Sequence, residues 1–426
     1  MHRTRTVRSL GPVAENEPNV DVLVVGAGPA GTSAAIHLRR SGVDVLVVDK
    51  AVFPRDKCCG DGLTTLALRE LDALGLDPGL VEDWFDLDGA WLRSPAGREI
   101  HVPLPDDGRY AAVATRRSLD HALVDLTRSD GIEVRDGVGF AGLEPTGSGD
   151  GSVVATLTDG SRIRATHLVA ADGMWSPVRK ACGVAVDGYR GEWHAFRQYV
   201  ADVTGPAADR LIVWFEPDLL PGYAWSFPLP GGRANIGFGV LRDGTRRVQD
   251  MAVTWRDLLA RPHVVEALGP DFRLEGRHTA WPIPARVDDL ELSVGQVLFV
   301  GDAAAATDVM TGEGIGQALL TGRLAASAIS EASSRSAVSA HYRTAVEHEL
   351  FADHRMSKRL GRVLASERGA EAALRIVASS GDWGRRNFAR WMFEDEPRAI
   401  AVTPRRWHRK VLRRPGAYRD ERAAAH

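Results

Sequence analysis

A chain of 426 residues, 44% hydrophobic and 26% charged, has room for two or three domains and a large buried core. Its formal net charge of −3 gives no overall reason to expect a nucleic-acid partner. Three cysteines, Cys58, Cys59 and Cys182, cannot build a disulfide framework, and no apolar run approaches the roughly 20 residues that cross a bilayer. The expectation is a cytoplasmic protein, with peripheral membrane contact left open.

Residues 1–19 carry arginines without the apolar core of a signal peptide and read as a disordered tail. Asp21 to Lys50 then reads as strand, glycine turn, helix, strand. Val22–Val25 is an unbroken apolar run, as in a parallel strand buried on both faces. Gly26, Gly28 and Gly31 follow in GxGxxG spacing. The first permits a tight turn, the second lets backbone approach a pyrophosphate, and the third lets the helix lie close on the sheet. That helix presents Ala30, Ala34, Ala35 and Leu38 inward and offers its N-terminus to phosphate. Val45–Val48 ends at Asp49, whose carboxylate suits both hydroxyls of an adenosine ribose.

From Lys50 to Leu63 the chain is irregular, charged and glycine-rich, and such a long polar connection is functional or disordered. Leu63–Leu76 reads as a helix, Trp91–Pro103 as a hairpin, and Thr115–Thr127 as a helix capped at Ser118 with Asp120 in its first turn. A hairpin turning at Asp159-Gly160 leads into Leu168–Gly173. From Trp193 to Val240 the pattern alternates, with strands at Leu211–Phe215, Tyr223–Phe227 and Ala234–Val240: an inserted antiparallel layer. Gln296–Val300 is another apolar strand running into Gly301-Asp302, and a helix follows from Gly314 to about Ser330. The rest is helical to about Met392 and closes with the arginine-rich run Arg405–Arg414, which carries Trp407, Val411 and Leu412 and would suit an anionic bilayer.

The late helix N-terminus at Thr311-Gly-Glu-Gly-Ile-Gly316 needs explaining. A simple nicotinamide dehydrogenase needs one such site, whereas FAD needs adenosine and pyrophosphate at the first turn and a second place for ribityl chain and isoalloxazine. Asp302 would bond ribityl hydroxyls, and the N–H groups near Gly312–Ile315 would face the flavin pyrimidine edge. With Arg116 and Asp172-Gly173, the four motifs stand in an order that resembles the p-hydroxybenzoate hydroxylase superfamily across roughly Asp21 to Ser330. The resemblance implies that Arg116 helps hold FAD and that Asp172 lies where FAD and a nicotinamide donor pass. No second GxGxxG occurs, so NAD(P)H or another reductant would act as electron donor without a Rossmann domain of its own.

Two features narrow the resemblance. Lys57-Cys58-Cys59-Gly60 is similar to the Lys-x-Cys-Gly segment of geranylgeranyl reductases, and Tyr223-Ala-Trp-Ser-Phe-Pro228 with Gly237-x-Gly239 is similar to their Tyr-x-Trp-x-Phe-Pro…Gly-x-Gly segment; Glu313 fits their Gly-Glu-Gly-Ile form. Alternation puts the Tyr223, Trp225 and Phe227 rings on one face of a strand, an apolar wall suited to a prenyl chain. Two departures stand out: Cys58, and Val309 where the superfamily usually has proline. No HExxH, zinc spacing or Gly-x-Ser-x-Gly elbow is present, so no metal is expected.

The expected fold is α/β: a Rossmann-like FAD-binding domain (20–185 and 286–335), an inserted antiparallel β-sheet substrate domain (186–285, with a contribution from 86–105) and a helical C-terminus (336–426). The resemblance implies catalytic residues Cys59, Tyr223 and Trp225. The cofactor-binding set is Gly26, Gly28, Ala30, Gly31, Asp49, Lys50, Cys59, Gly60, Arg116, Asp172, Gly301, Asp302, Gly312, Gly314 and Ile315. The function it implies is reduction of C=C bonds in a prenyl chain or prenylated lipid by hydride from reduced flavin. The alternatives are a flavin monooxygenase or halogenase-like enzyme on a small aromatic or polyketide-type molecule, and a flavin-binding carrier without turnover.

Overall fold

The computed structural model describes residues 18–144, 151–242, 248–407 and 414–419. Residues 1–17 of the expected tail, and 408–413 of the arginine-rich run, lie outside the described residues.

The first sheet is built on β1 (Asn19–Val25), with the glycine turn leading into α1 (Pro29–Arg40) and back to β2 (Val45–Asp49). After α2 (Arg116–Ser129), strand β3 (Arg162–Ala170) pairs parallel with β1 on the side opposite β2. Val22, Leu23 and Val24 are fully buried, the expected result for a strand covered on both faces. Glu133–Asp136 extends the sheet beyond β2, and Phe140–Leu143 and Val153–Leu157 join β3 antiparallel as a meander.

The second sheet holds β4 (Trp193–Ala201), β5 (Leu211–Trp214), β6 (Tyr223–Leu229), β7 (Arg233–Leu241) and β8 (Arg273–Ile283) in the order β8-β4-β7-β6-β5. The hairpin Gly89–Arg93/Glu99–Pro103 extends it by pairing parallel with β5. The chain then returns to the first sheet as β9 (Val297–Phe299), parallel to β3, and continues into α3 (Ile315–Glu331). Helix α3 lies on α1 so closely that a Cβ at Gly322 would stand 2.2 Å from the Ala30 carbonyl oxygen, and the Ser33 hydroxyl donates to the Leu319 carbonyl at 2.8 Å. That contact carries Gly301 and Asp302 to the start of α1.

Helices α4 (Ala352–Leu364), α5 (Glu367–Ser379) and α6 (Gly381–Met392) follow. They are fastened to the body by the Thr65 amide, which donates to the Phe393 carbonyl at 2.8 Å, and by the Thr64 hydroxyl on Glu394 Oε2 at 3.0 Å. The architecture is thus α/β, with the Rossmann-like sheet, an antiparallel-dominated second sheet and a helical C-terminus. No helix among the described residues is long and apolar enough to cross a membrane.

Two local expectations need correction. The helix expected from Leu63 starts at Thr65, because Gly62–Thr64 pairs as a strand with Ala111–Val113. Helix α2 is capped by Thr115, whose hydroxyl accepts from the Ser118 amide; Ser118 sits inside the first turn, since Thr115 reaches the orphan donor first. Asp120 serves no helix dipole. It is fully buried beneath two arginines.

Candidate active site

The glycine turn is as tight as its spacing implies. Gly26 adopts φ +106°, and a Cβ there would lie 2.3 Å from the Ala171 carbonyl oxygen; one at Gly31 would lie 1.8 Å from that of Gly26. Gly28 faces the terminal guanidinium nitrogens of Arg55 and Arg116, 3.7 and 3.8 Å from where its Cβ would be. A pyrophosphate placed over Gly28 would therefore meet free helix N–H groups and two cations. Asp49 is fixed at the end of β2 by accepting from the Ala27 amide at 2.7 Å and the Ala51 amide at 2.8 Å.

Arg116 makes a two-pronged pair with Asp120, at 2.8 and 2.7 Å, and Arg55 reaches the same carboxylate at 2.6 Å. Burial opposes the charge on Asp120, but the two arginines outweigh it and hold the carboxyl below the usual range. Two cations on one anion leave a surplus positive charge facing Gly28.

The late helix start is held as firmly. Gly301 (φ +58°) lets the chain pass Ala30, whose Cβ would be 3.1 Å from a Cβ at 301, and Asp302 meets the Lys57 ammonium at 3.1 Å. In the loop before α3, Asp308 Oδ1 accepts from the Met310 and Thr311 amides at 3.1 and 2.8 Å, and its Oδ2 from the Ser357 hydroxyl at 2.7 Å. From the second sheet, the Trp193 indole N–H donates to the Val309 carbonyl at 2.7 Å and the Tyr223 hydroxyl donates to the Thr311 carbonyl. These bonds use the loop backbone, so the loop keeps its shape without a proline at 309. Glu313 Oε1 accepts from the Ile315 and Gly316 amides at 2.9 and 3.2 Å, the same end of α3 expected to face the flavin. Burial, with Glu394 beside it, pushes the Glu313 carboxyl up to about 8.

The cysteine segment is a bridge between the sheets. Arg197 on β4 holds Asp56 through both carboxylate oxygens at 2.8 Å. Asn235 on β7 donates to the Cys59 carbonyl at 2.8 Å and to Asp61 Oδ2 at 2.7 Å, and the Tyr199 hydroxyl donates to the same Asp61 oxygen at 2.7 Å. Asp61 Oδ1 accepts from the Arg116 amide at 3.2 Å. Asp61 is fully buried, which pushes its carboxyl up to about 6 against these donors.

The segment lies flat on the aromatic strand. A Cβ at Gly60 would touch Phe227 and Trp225 at 3.4 and 3.5 Å. The register sets Tyr223, Trp225 and Phe227 opposite Gly239, Gly237 and Asn235. The Trp225 ring needs that glycine, because a Cβ at 237 would stand 2.5 Å from Trp225 Cζ2. The Trp225 N–H in turn donates to Asn235 Oδ1 at 3.2 Å. Burial first, then the Asp61 charge, pushes the Cys59 thiol up to about 12. Cys58, Cys59 and Cys182 are all free.

One cavity of about 1080 Å³ joins these parts. Every residue of the expected catalytic and cofactor-binding sets lines it except Gly31, which is packed beneath the turn against the Gly26 carbonyl. Lys50 stands at its exposed edge, and Asp172, whose Oδ2 accepts from the Val178 amide at 3.0 Å, lies beyond the end of β3. Burial pushes the Asp172 carboxyl upward. Arg55, Asp61, Arg197, Asn235 and Asp308 were not singled out. Arg55 and Asp61 flank the quoted cysteine segment, but their partners lie 55 to 174 positions away, beyond any local signal. The donor set fits FAD: cations and N–H groups at Gly28, a carboxylate after β2, and a second carboxylate beside α1.

Comparison with known proteins agrees. The family described as FAD binding domain matches residues 19–350. The menaquinone reductase of Mycobacterium tuberculosis (strain ATCC 25618 / H37Rv) is 34% identical over 336 residues, covering 73% of this chain and 76% of its own length. The digeranylgeranylglycerophospholipid reductase of Methanosarcina mazei is 30% identical over 329 residues, 75% of this chain and 77% of its own. A geranylgeranyl bacteriochlorophyll reductase-like protein from Thermoplasma acidophilum shares the fold, with TM-score 0.76 at 22% identity across 92% of this chain and 100% of its own. With these relatives the chain belongs to the geranylgeranyl reductase family of FAD-dependent oxidoreductases.

Proposed function

We propose that this protein saturates C=C bonds in the prenyl chain of a lipid or quinone. The observation that carries the proposal is the aromatic strand: Tyr223, Trp225 and Phe227 line the cavity beneath the cysteine segment, and the cavity continues past them between apolar side chains of α4, α5 and α6. An extended hydrocarbon fits such a chamber, and each CH₂ it buries there contributes about 0.8 kcal/mol.

Bound FAD, once reduced by NAD(P)H or another donor, supplies the hydride. Arg55 and Arg116 would hold its pyrophosphate, Asp49 its ribose, and Asp302 its ribityl hydroxyls. The aromatic strip excludes water and keeps the alkene against the site. Saturation also needs a proton at the neighbouring carbon. The Tyr223 proton is engaged on the Thr311 carbonyl, whereas the Cys59 thiol keeps its proton throughout the neutral range. Cys59 Sγ is the less engaged donor of the two.

The test is anaerobic incubation of the FAD-loaded protein, reduced by dithionite, with a detergent-dispersed prenylated quinone and a geranylgeranylated glycerolipid, read by mass spectrometry. A gain of two hydrogens per reduced bond is expected. Untouched prenyl chains together with oxygenation of an aromatic compound in air would overturn the proposal in favour of a monooxygenase.

A further inference from the structure

Helices α4, α5 and α6 wall the far end of the chamber with Leu360, Leu374, Val377, Phe388 and Met392. That wall is not closed. Val363 lines the chamber and is also 53% exposed, so the apolar lining runs out to the surface at α4. On the outside of the same helix set, Ile376 is 70% and Trp383 71% exposed. Single exposed apolar residues are ordinary. Two large ones on the helices that wall an apolar chamber open to the surface are not, because the opening gives them a common purpose.

Charge identifies what covers them. From Arg355 to Arg386 the sequence has eight basic residues and three acidic ones, in a chain whose net charge is −3. Two of the acids are already matched: Glu371 by Arg98 and Arg375, and Asp382 by Arg385. Arg355, Arg359 and Arg362 recur at the spacing of one face of α4, and all three are exposed, as are Arg368 and Arg386. Exposed Ile and Trp amid unmatched arginines is the composition of a surface that rests on anionic lipid.

We propose, building on the reductase function above, that the outer surface of α4–α6 docks on an anionic bilayer and that the opening at Val363 admits the prenyl chain tail-first from the lipid. The headgroup then stays at the membrane surface while the chain reaches the aromatic strip.

Two variants test it: Ile376→Asn with Trp383→Asn, and Arg359→Glu with Arg362→Glu. None of these side chains lines the cavity. Vesicles of phosphatidylcholine alone, and of phosphatidylcholine with phosphatidylglycerol, are sedimented with each FAD-loaded protein. The unaltered protein should sediment with the anionic vesicles, release with salt, and stay off the neutral ones; each variant should bind at least about tenfold more weakly. Both variants should match it on detergent-dispersed substrate and fall behind on the same substrate held in anionic vesicles. Absence of binding to anionic vesicles, equal binding to neutral ones, or variants that work on vesicles as well as the unaltered protein would each overturn the docking surface. The detergent assay decides the reductase function separately, since failure there has no bearing on the sedimentation.

Discussion

The Lys57 ammonium lies 3.1 Å from Asp302 Oδ2, joining residues 245 positions apart. The pair ties the cysteine segment to the carboxylate proposed to hold the ribityl chain. Lys57 is 27% and Asp302 18% exposed, so the bond is sheltered enough to orient its carboxylate. Lys57→Met should weaken FAD binding about tenfold, the loss of one charge-assisted contact of about 1.4 kcal/mol. Lys57→Arg should recover most of it. Flavin fluorescence titration of the cofactor-free protein measures both, and unchanged affinity in Lys57→Met would contradict the role.

Gly237→Ala forces a methyl into the Trp225 ring and within 2.4 Å of the Phe196 carbonyl oxygen. It should cost about 1–3 kcal/mol of stability and shift tryptophan emission. Gly361→Ala is the matched control. It lies in α4 with no heavy atom within 4 Å of its Cβ, and should gain about 0.5–1 kcal/mol. Urea denaturation reads both, and a neutral Gly237→Ala would mean that the ring moves freely.

Asp61 gives a pH dependence. Folding pushes its carboxyl from an ordinary 3.8 up to about 6, so between those values the folded chain binds more protons than the unfolded one. Stability therefore falls as pH rises through that window and stays lower above it, by about 3 kcal/mol for roughly two pH units. Asp61→Asn cannot titrate. The difference in denaturation free energy, unaltered protein minus variant, should decline from about pH 4 to about pH 6 and then level. A flat difference would show that the Tyr199 and Asn235 donors fully offset burial.

Cys59→Ala should retain FAD and lose saturation activity by about 100-fold, within the range for removing a positioned proton donor. Cys59→Ser, which keeps a proton at the same place, should lose less. Alkylation by iodoacetamide, mapped by mass spectrometry, should leave Cys59 unmodified at pH 8, since its thiol titrates at about 12. Rapid modification there would mean a thiolate, and the proton would have to come from elsewhere.

The dinucleotide turn was legible because its constraints are local: Gly26, Gly28 and Gly31 lie within one turn and the start of one helix, and the backbone alone requires them. The ring alternation at 223, 225 and 227 was legible for the same reason, a period of two. What those rings press against was not, because register with Gly237 and Asn235 is a property of two paired strands. Asp61 is the extreme case. It reads as one acid in a polar connection, yet it accepts from β4, β7 and the start of α2. Ser118 was misread as a cap because a hydroxyl three residues earlier, on Thr115, fills that place and only geometry separates the two.

The shared space of Trp225 and Gly237 also constrains how this site is inherited. A side chain at residue 237 would meet the Trp225 ring and also the Phe196 carbonyl oxygen, 2.4 Å from its Cβ, so it would need the backbone of β4 to shift as well as the ring. Where a descendant accepts a bulkier substrate by trimming the indole, position 237 therefore stays glycine. Residue 225 is thus free to change while residue 237 is held, and the identity of residue 225 should reveal whether the aromatic wall of a relative is intact.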